Sequence, residues 1–204
     1  MSVKPINIGV VGVGHLGMHH VKHYTTIPNV NLLGIYDPDV KRSNYVAKKY
    51  RTVPFQSLKK LIENVDALSI VTPTSNHYKT AKLCIENKKH VFIEKPITVT
   101  LKEANKLLDL SKNNSTIIQV GHIERLNPAL MALEPYYINP KFIEIQRLAP
   151  YTSRGTDVPV VLDKMIHDID ILLSLVKSEV ASLEATGMSI ITNSLDMAHA
   201  RIQF

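Results

Sequence analysis

Short runs of Ile, Val and Leu alternate along this chain with stretches in which apolar residues recur at helical spacing. The runs at residues 6–13, 30–36, 67–71, 91–93 and 117–120 are rich in β-branched residues and flanked by Gly, Pro or Asp, which predicts buried strands. Between them, 16–24, 40–50, 57–63, 77–87 and 101–110 carry the helical period, and a short extended piece is expected at 53–55. In the helix at 77–87, Ala81, Leu83 and Cys84 fall on or near the buried face. Strands apolar on both faces, separated by helices, imply a parallel sheet covered on each side and wound in both directions.

The pattern changes beyond residue 122. Asn127-Pro128 has the form of a helix start, with Asn as N-cap and Pro at the first helical position. A strand is expected at 142–148, a long helix at 158–176, and a strand or strand pair at 180–191. From 198 the alternation puts Ala198, Ala200, Ile202 and Phe204 on one face, as in a half-buried strand. A sheet that opens this way calls for further strands to cover its face and edge, so a truncated chain is expected.

Composition narrows the class only slightly. An apolar fraction of 45% and a charged fraction of 21% are those of an ordinary globular protein. Nothing near the N-terminus has the form of a signal peptide and no run is long enough to span a bilayer, so no membrane role is expected. The single cysteine, Cys84, excludes an intrachain disulfide and fits a reducing compartment, with the cytoplasm as the expectation. The net charge of +6 comes from scattered pairs such as Lys48-Lys49 and Lys59-Lys60, which suit solvated helix faces. No basic stripe is interleaved with aromatics, so nucleic acid is not an expected partner. His19, His20 and His23 are joined by no Cys or carboxylate at ligand spacing; we expect solvated or domain-contact histidines there and no metal.

The chemistry begins at the first strand's end. Gly12, Gly14 and Gly17, with His15 and Leu16 between them, form G-x-G-x-x-G in a strand-to-helix setting, with Asp37 about twenty positions on. Gly12 permits the tight turn, Gly14 lets the backbone approach a pyrophosphate, and Gly17 allows helix and strand to pack closely. Helix N–H groups would face the phosphates. Asp37 is expected to accept hydrogen bonds from the adenosine ribose and to repel a 2′-phosphate, which favours NAD over NADP; Lys41 and Arg42 keep NADP as the alternative. Asp37 could instead cap the next helix, a task that Asp39 or Ser43 could share. Thr72, Pro73, Asn76 and His77 follow a strand's carboxyl end, where such sheets bind ligands. The expected layout is a Rossmann domain at 1–122 and part of a second α/β domain at 123–204.

Glu94-Lys95-Pro96 closes another apolar run, and Asp163 and His167 lie one helical turn apart. Oxidising a secondary alcohol needs a group that stabilises developing alkoxide and a base that takes the hydroxyl proton. Lys95 suits the first task and His167 the second, with Asp163 orienting the imidazole, binding a hydroxyl or pairing with Lys95. A lysine base assisted by histidine is the alternative. Asp168 and Asp170 are expected to serve structure through neighbouring backbone.

The glycine fingerprint, Thr72-Pro73 with His77, Glu94-Lys95-Pro96 and Asp163-x-x-x-His167-Asp168 together resemble the glucose–fructose oxidoreductase and inositol dehydrogenase (Gfo/Idh/MocA) family over essentially the whole chain. The resemblance implies an N-terminal Rossmann domain, a C-terminal α/β domain on an open, mostly antiparallel sheet that often makes a homo-oligomer interface, and longer chains than this one. It also places Glu94 and Lys95 beside the cofactor. The segments 121–129, 153–158 and 165–170 resemble the bacterial branch acting on nucleotide-linked amino sugars. That narrower likeness implies oxidation at position 3 of a UDP-N-acetylhexosamine, in lipid A assembly, with Lys95, Arg125, Asn127, Arg154, Asp163 and His167 meeting the substrate. Guanidinium groups suit its diphosphate. The rival expectations are an inositol, free-sugar or cyclic-diol dehydrogenase, and a dinucleotide-binding sensor without turnover.

Overall fold

A computed structural model of the chain describes residues 4–136, 138–150 and 158–204. They divide into two compact units, Met1–Gly121 and His122–Phe204.

The first unit is a six-stranded sheet in the order β3-β2-β1-β4-β5-β6, parallel throughout. Its strands are β1 (Ile6–Val11), β2 (Val30–Tyr36), β3 (Val53–Pro54), β4 (Ala67–Ile70), β5 (His90–Ile93) and β6 (Ile118–Val120). The helices are α1 (His15–Tyr24), α2 (Val40–Tyr50), α3 (Leu58–Asn64), α4 (His77–Glu86) and α5 (Leu101–Asn114). Adjacent residues of a strand face opposite sides, and Val10 and Val11 start two different cores. Val10 packs with Val21 of α1 and Val46 and Ala47 of α2. Val11 packs with Leu61 and Ile62 of α3, Ala81, Cys84 and Ile85 of α4, and Leu107 of α5. The chain order reverses direction between β1 and β4, the switch point at whose carboxyl edge such sheets bind ligands.

Local signals explain several boundaries. Asp39 caps α2 by accepting from Arg42 N–H, Ser57 caps α3, and Thr100 and Glu103 form a reciprocal capping box at α5. The helix α5 runs one turn past the expected end because its apolar period fades before its hydrogen bonds do. Leu83 is a correction: it is 38% exposed, and α4 buries His77, Thr80, Ala81, Cys84 and Ile85 instead. No helix among the described residues is long and apolar enough to cross a membrane.

The second unit holds α6 (Pro128–Met131), α7 (Ile166–Leu175) and an antiparallel pair, β7 (Ser182–Met188) and β8 (Met197–Gln203). Asn127 caps α6 through Ala129 N–H, as the sequence suggests, but the helix lasts a single turn. Residues 142–148 form no strand: no described segment offers them a ladder, and Phe142 and Leu148 remain open to solvent. The long helix expected at 158–176 is present from 160 to 175, with a π-helical stretch, Val161–Met165, leading into α7. On β8 the expected alternation holds, with Ala198, Ala200 and Ile202 half-buried between exposed neighbours.

Candidate active site

The glycine loop is built by contacts that forbid a side chain. Gly12 has φ of +85°, and a Cβ on it would stand 2.7 Å from Val71 O. A Cβ on Gly17 would come within 2.0 Å of Gly12 O. Gly14 is different: a Cβ there would meet nothing within 4 Å, so the space beside the first turn of α1 is open. No side chain caps that turn and no acidic residue occupies it. Uncapped N–H groups beside open space suit a pyrophosphate, so the loop fits the dinucleotide its sequence implies. His15 and Leu16 are exposed at the same helix end, with the His15 ring edge-on to His19 at 5.3 Å.

Asp37 is buried and tied to this loop. Its Oδ2 accepts Val13 N–H at 2.8 Å and its Oδ1 accepts Asp39 N–H at 2.9 Å. Asp39 takes the capping task of α2, so Asp37 is left to hold the end of β2 against the glycine turn. Arg42 lies 3.7 Å from Asp37 and 3.4 Å from Asp39, placing its guanidinium over both carboxylates.

The loops after β4 and β5 are fastened to each other by His77. Its Nδ1 lies 2.8 Å from Pro96 O and its Nε2 2.9 Å from Thr72 O, with the ring buried. Any part His77 plays toward a cofactor therefore runs through the loops it joins. Thr72 Oγ1 is buried with no hydrogen-bond partner among the described residues. Pro73 and Asn76 are exposed at the adjoining 3-10 turn, Thr74–Asn76.

Glu94 and Lys95 follow directly from β5. Glu94 Oε1 pairs with His20 Nε2 at 3.0 Å, and Oε2 accepts Lys95 N–H at 3.3 Å. Burial pushes the Glu94 carboxyl up, but the His20 hydrogen bond and the nearby charges of His20 and Lys95 outweigh it and hold it below the usual carboxylate range. His20 was expected among solvated or domain-contact histidines, yet both its ring nitrogens have partners inside the first unit, the second being Ser69 Oγ at 2.9 Å. Its partners lie 49 and 74 residues away in sequence, so no local spacing could reveal them.

In the second unit, Asp163 lies in the π-helical stretch and His167 in the first turn of α7. A π-helical turn is wider than an α-helical one and recurs at functional sites. Asp163 carries Lys164 Nζ at 3.3 Å. Asp168 and Asp170 take guanidinium partners where backbone partners were expected. Arg147 Nε donates to Asp168 at 2.9 and 3.1 Å. Arg125 clamps Asp170 through Nε at 2.7 Å and an Nη at 2.6 Å. The Arg125 hydrogen bond, working against burial, holds the Asp170 carboxyl below its usual range, helped by the charges of His122 and His167. Arg125 is thus already engaged by a carboxylate, and Asn127 is engaged as a helix cap. Arg154 lies outside the described residues.

A profile of an oxidoreductase family with an NAD-binding Rossmann fold, the Gfo/Idh/MocA family, matches residues 6–122. The chain belongs to that family. It is 38% identical over 193 residues to UDP-N-acetylglucosamine 3-dehydrogenase of Acidithiobacillus ferrooxidans, covering 94% of this chain and 61% of that one. A solved structure of that enzyme superimposes with a TM-score of 0.91 at 37% identity, covering 98% of this chain and 66% of the other. The scyllo-inositol 2-dehydrogenase (NAD(+)) of Bacillus subtilis is 30% identical over 198 residues, 89% of this chain and 57% of that protein. The chain therefore spans less than two thirds of the length of these relatives.

Proposed function

We propose that the protein is an NAD-dependent dehydrogenase that oxidises a secondary hydroxyl of a sugar, and that its substrate is a UDP-linked N-acetylhexosamine oxidised at position 3. The observation that carries this reading is the position of Lys95. It stands at the carboxyl end of β5, in the sheet whose β1 opens into the glycine loop, on the edge where Rossmann sheets hold ligands. The 38% identity to a UDP-N-acetylglucosamine 3-dehydrogenase supports the choice of sugar, and lipid A assembly is the corresponding proposed setting.

NAD, when bound, supplies the hydride acceptor. The first turn of α1 would hold its pyrophosphate through backbone N–H groups, with Gly14 leaving room for it. Asp37, already shaping the glycine turn, would accept from the adenosine ribose through its remaining lone pairs. The Lys95 ammonium would hydrogen-bond the reacting hydroxyl oxygen and stabilise negative charge as it develops. His167 would take the hydroxyl proton, with Asp163 orienting its ring or holding a neighbouring hydroxyl. Arg125 and Asp170 would fix α7, and with it the direction of His167 three residues earlier.

Incubating the full-length protein with NAD and UDP-N-acetylglucosamine, free N-acetylglucosamine or scyllo-inositol, and following NADH absorbance, tests the reading. NADH formation with the UDP-sugar alone is expected. Turnover of the inositol in preference favours the inositol dehydrogenase alternative, to which the 30% identity with scyllo-inositol 2-dehydrogenase also points. NAD binding without turnover of any sugar or polyol contradicts an enzymatic role.

A further inference from the structure

We propose that His20 is a positioning residue for the reaction at Lys95: its ring ties the helix behind the glycine loop to Glu94, and so fixes the turn from which Lys95 is presented. The proposal rests on the assignment of Lys95 to catalysis made above.

His20 lies on α1, three residues after Gly17, and reaches Ser69 on β4 and Glu94 just past the end of β5. Its Nε2 is 3.0 Å from Glu94 Oε1 and its Nδ1 is 2.9 Å from Ser69 Oγ. The rings of Phe92 and Tyr24 flank the imidazole at 5.5 and 6.4 Å between centroids. Two polar anchors and two aromatic neighbours leave the ring one orientation.

With Glu94 ionised, the donors line up in one direction. In the neutral imidazole Ser69 O–H donates to His20 Nδ1 and His20 Nε2–H donates to Glu94 Oε1. Aligned chains of this kind strengthen one another in a poorly solvated site. The far carboxylate oxygen then accepts Lys95 N–H at 3.3 Å. Gly121 makes room for that carboxylate, since a Cβ there would lie 3.0 Å from both of its oxygens. The chain therefore ends on the backbone of Lys95, whereas none of its members belongs to the glycine fingerprint. Loss of His20 should disturb Lys95 and spare the dinucleotide.

The test uses His20→Leu, His20→Gln, Glu94→Gln and the double variant His20→Leu/Glu94→Gln in the full-length protein, with Lys95→Met run in parallel. His20→Leu should lower kcat by about ten- to a hundredfold, the scale of a small misplacement of a reacting group, while the Kd for NAD stays within about twofold. His20→Gln, which keeps a donor toward Glu94, should recover most of that loss. The double variant should be no worse than the poorer single one, because the pair acts as a unit. Independently of turnover, the Lys95 backbone amide should shift in the NMR spectra of His20→Leu and Glu94→Gln. An unchanged kcat, a matching loss of NAD affinity, additive losses or an unmoved Lys95 amide would each overturn the proposal. Lys95→Met separates the two levels: full turnover in that variant refutes the role of Lys95 itself, whatever His20 does.

Discussion

Glu94 in the first unit and Asp170 in the second are both carboxylates held below their usual range by a cationic or hydrogen-bonding partner, yet their surroundings differ. Glu94 adjoins a sheet with an apolar core on each face, and its partner His20 comes from a helix packed into one of them. Asp170 and Val158 are the only buried residues among those described after Gly121, and the Arg125 that binds Asp170 is largely exposed. The first unit is held together by apolar burial and uses polar links to place particular groups. Among the described residues of the second, the links that stand out are polar: Arg125 on Asp170, Arg147 on Asp168, and Asp196 accepting three successive backbone N–H groups at the β7–β8 turn.

The contrast can be broken most forcefully at Gly17. Replacing it with Ala drives a Cβ against Gly12 O, and we expect a loss of about 3 kcal/mol or more in unfolding free energy together with NAD binding. Chemical denaturation and cofactor titration check this. A matched pair of truncations sharpens the difference between the units. Ile93→Ala, in the core, should cost about 2–5 kcal/mol, whereas Ile202→Ala, on the half-buried face of β8, should cost about 1 kcal/mol or less. Equal costs would mean that β8 is packed as tightly as β5.

Smaller and pH-dependent is Asp170→Asn. Because the folded carboxyl is held low, its contribution is complete above the unfolded value near 4 and disappears as pH falls through the lower folded one. The exposure of Arg125 limits that contribution to about 1 kcal/mol at neutral pH. Thermal melts should therefore separate wild type and variant at pH 7 and converge in acid. The least effect is expected at Cys84, whose thiol burial pushes up to about 12. Thiol reagents at mildly alkaline pH should leave the native protein unlabelled and react only after denaturant is added.

The same contrast decides what could be read from the sequence. The bounds of β2 and α2 match the expected 30–36 and 40–50 because a buried run, an Asp-Pro stop and a local N-cap at Asp39 all lie within a few residues. Where burial is thin, apolar pattern says less: 142–148 suggests a strand but finds no ladder among the described residues, and the helix expected at 158–176 forms over 160–175 without any sequence sign of its π-helical turn at 161–165. Leu83 satisfied the period of α4 approximately but turned outward. The glycine loop and the strand-end position of Lys95 were legible in the sequence, whereas the His20–Glu94 link and the Arg125–Asp170 clamp join residues 74 and 45 apart and needed the fold.

The central claim is that Lys95 acts on the reacting hydroxyl and does not merely close a strand. Its most direct test is the turnover of Lys95→Met in the full-length protein, measured beside its affinity for NAD. The account predicts a fall in kcat of about a thousandfold, as for removal of a donor that stabilises a developing oxyanion, with the Kd for NAD changed by no more than about threefold. A variant that turns over at the wild-type rate would contradict it.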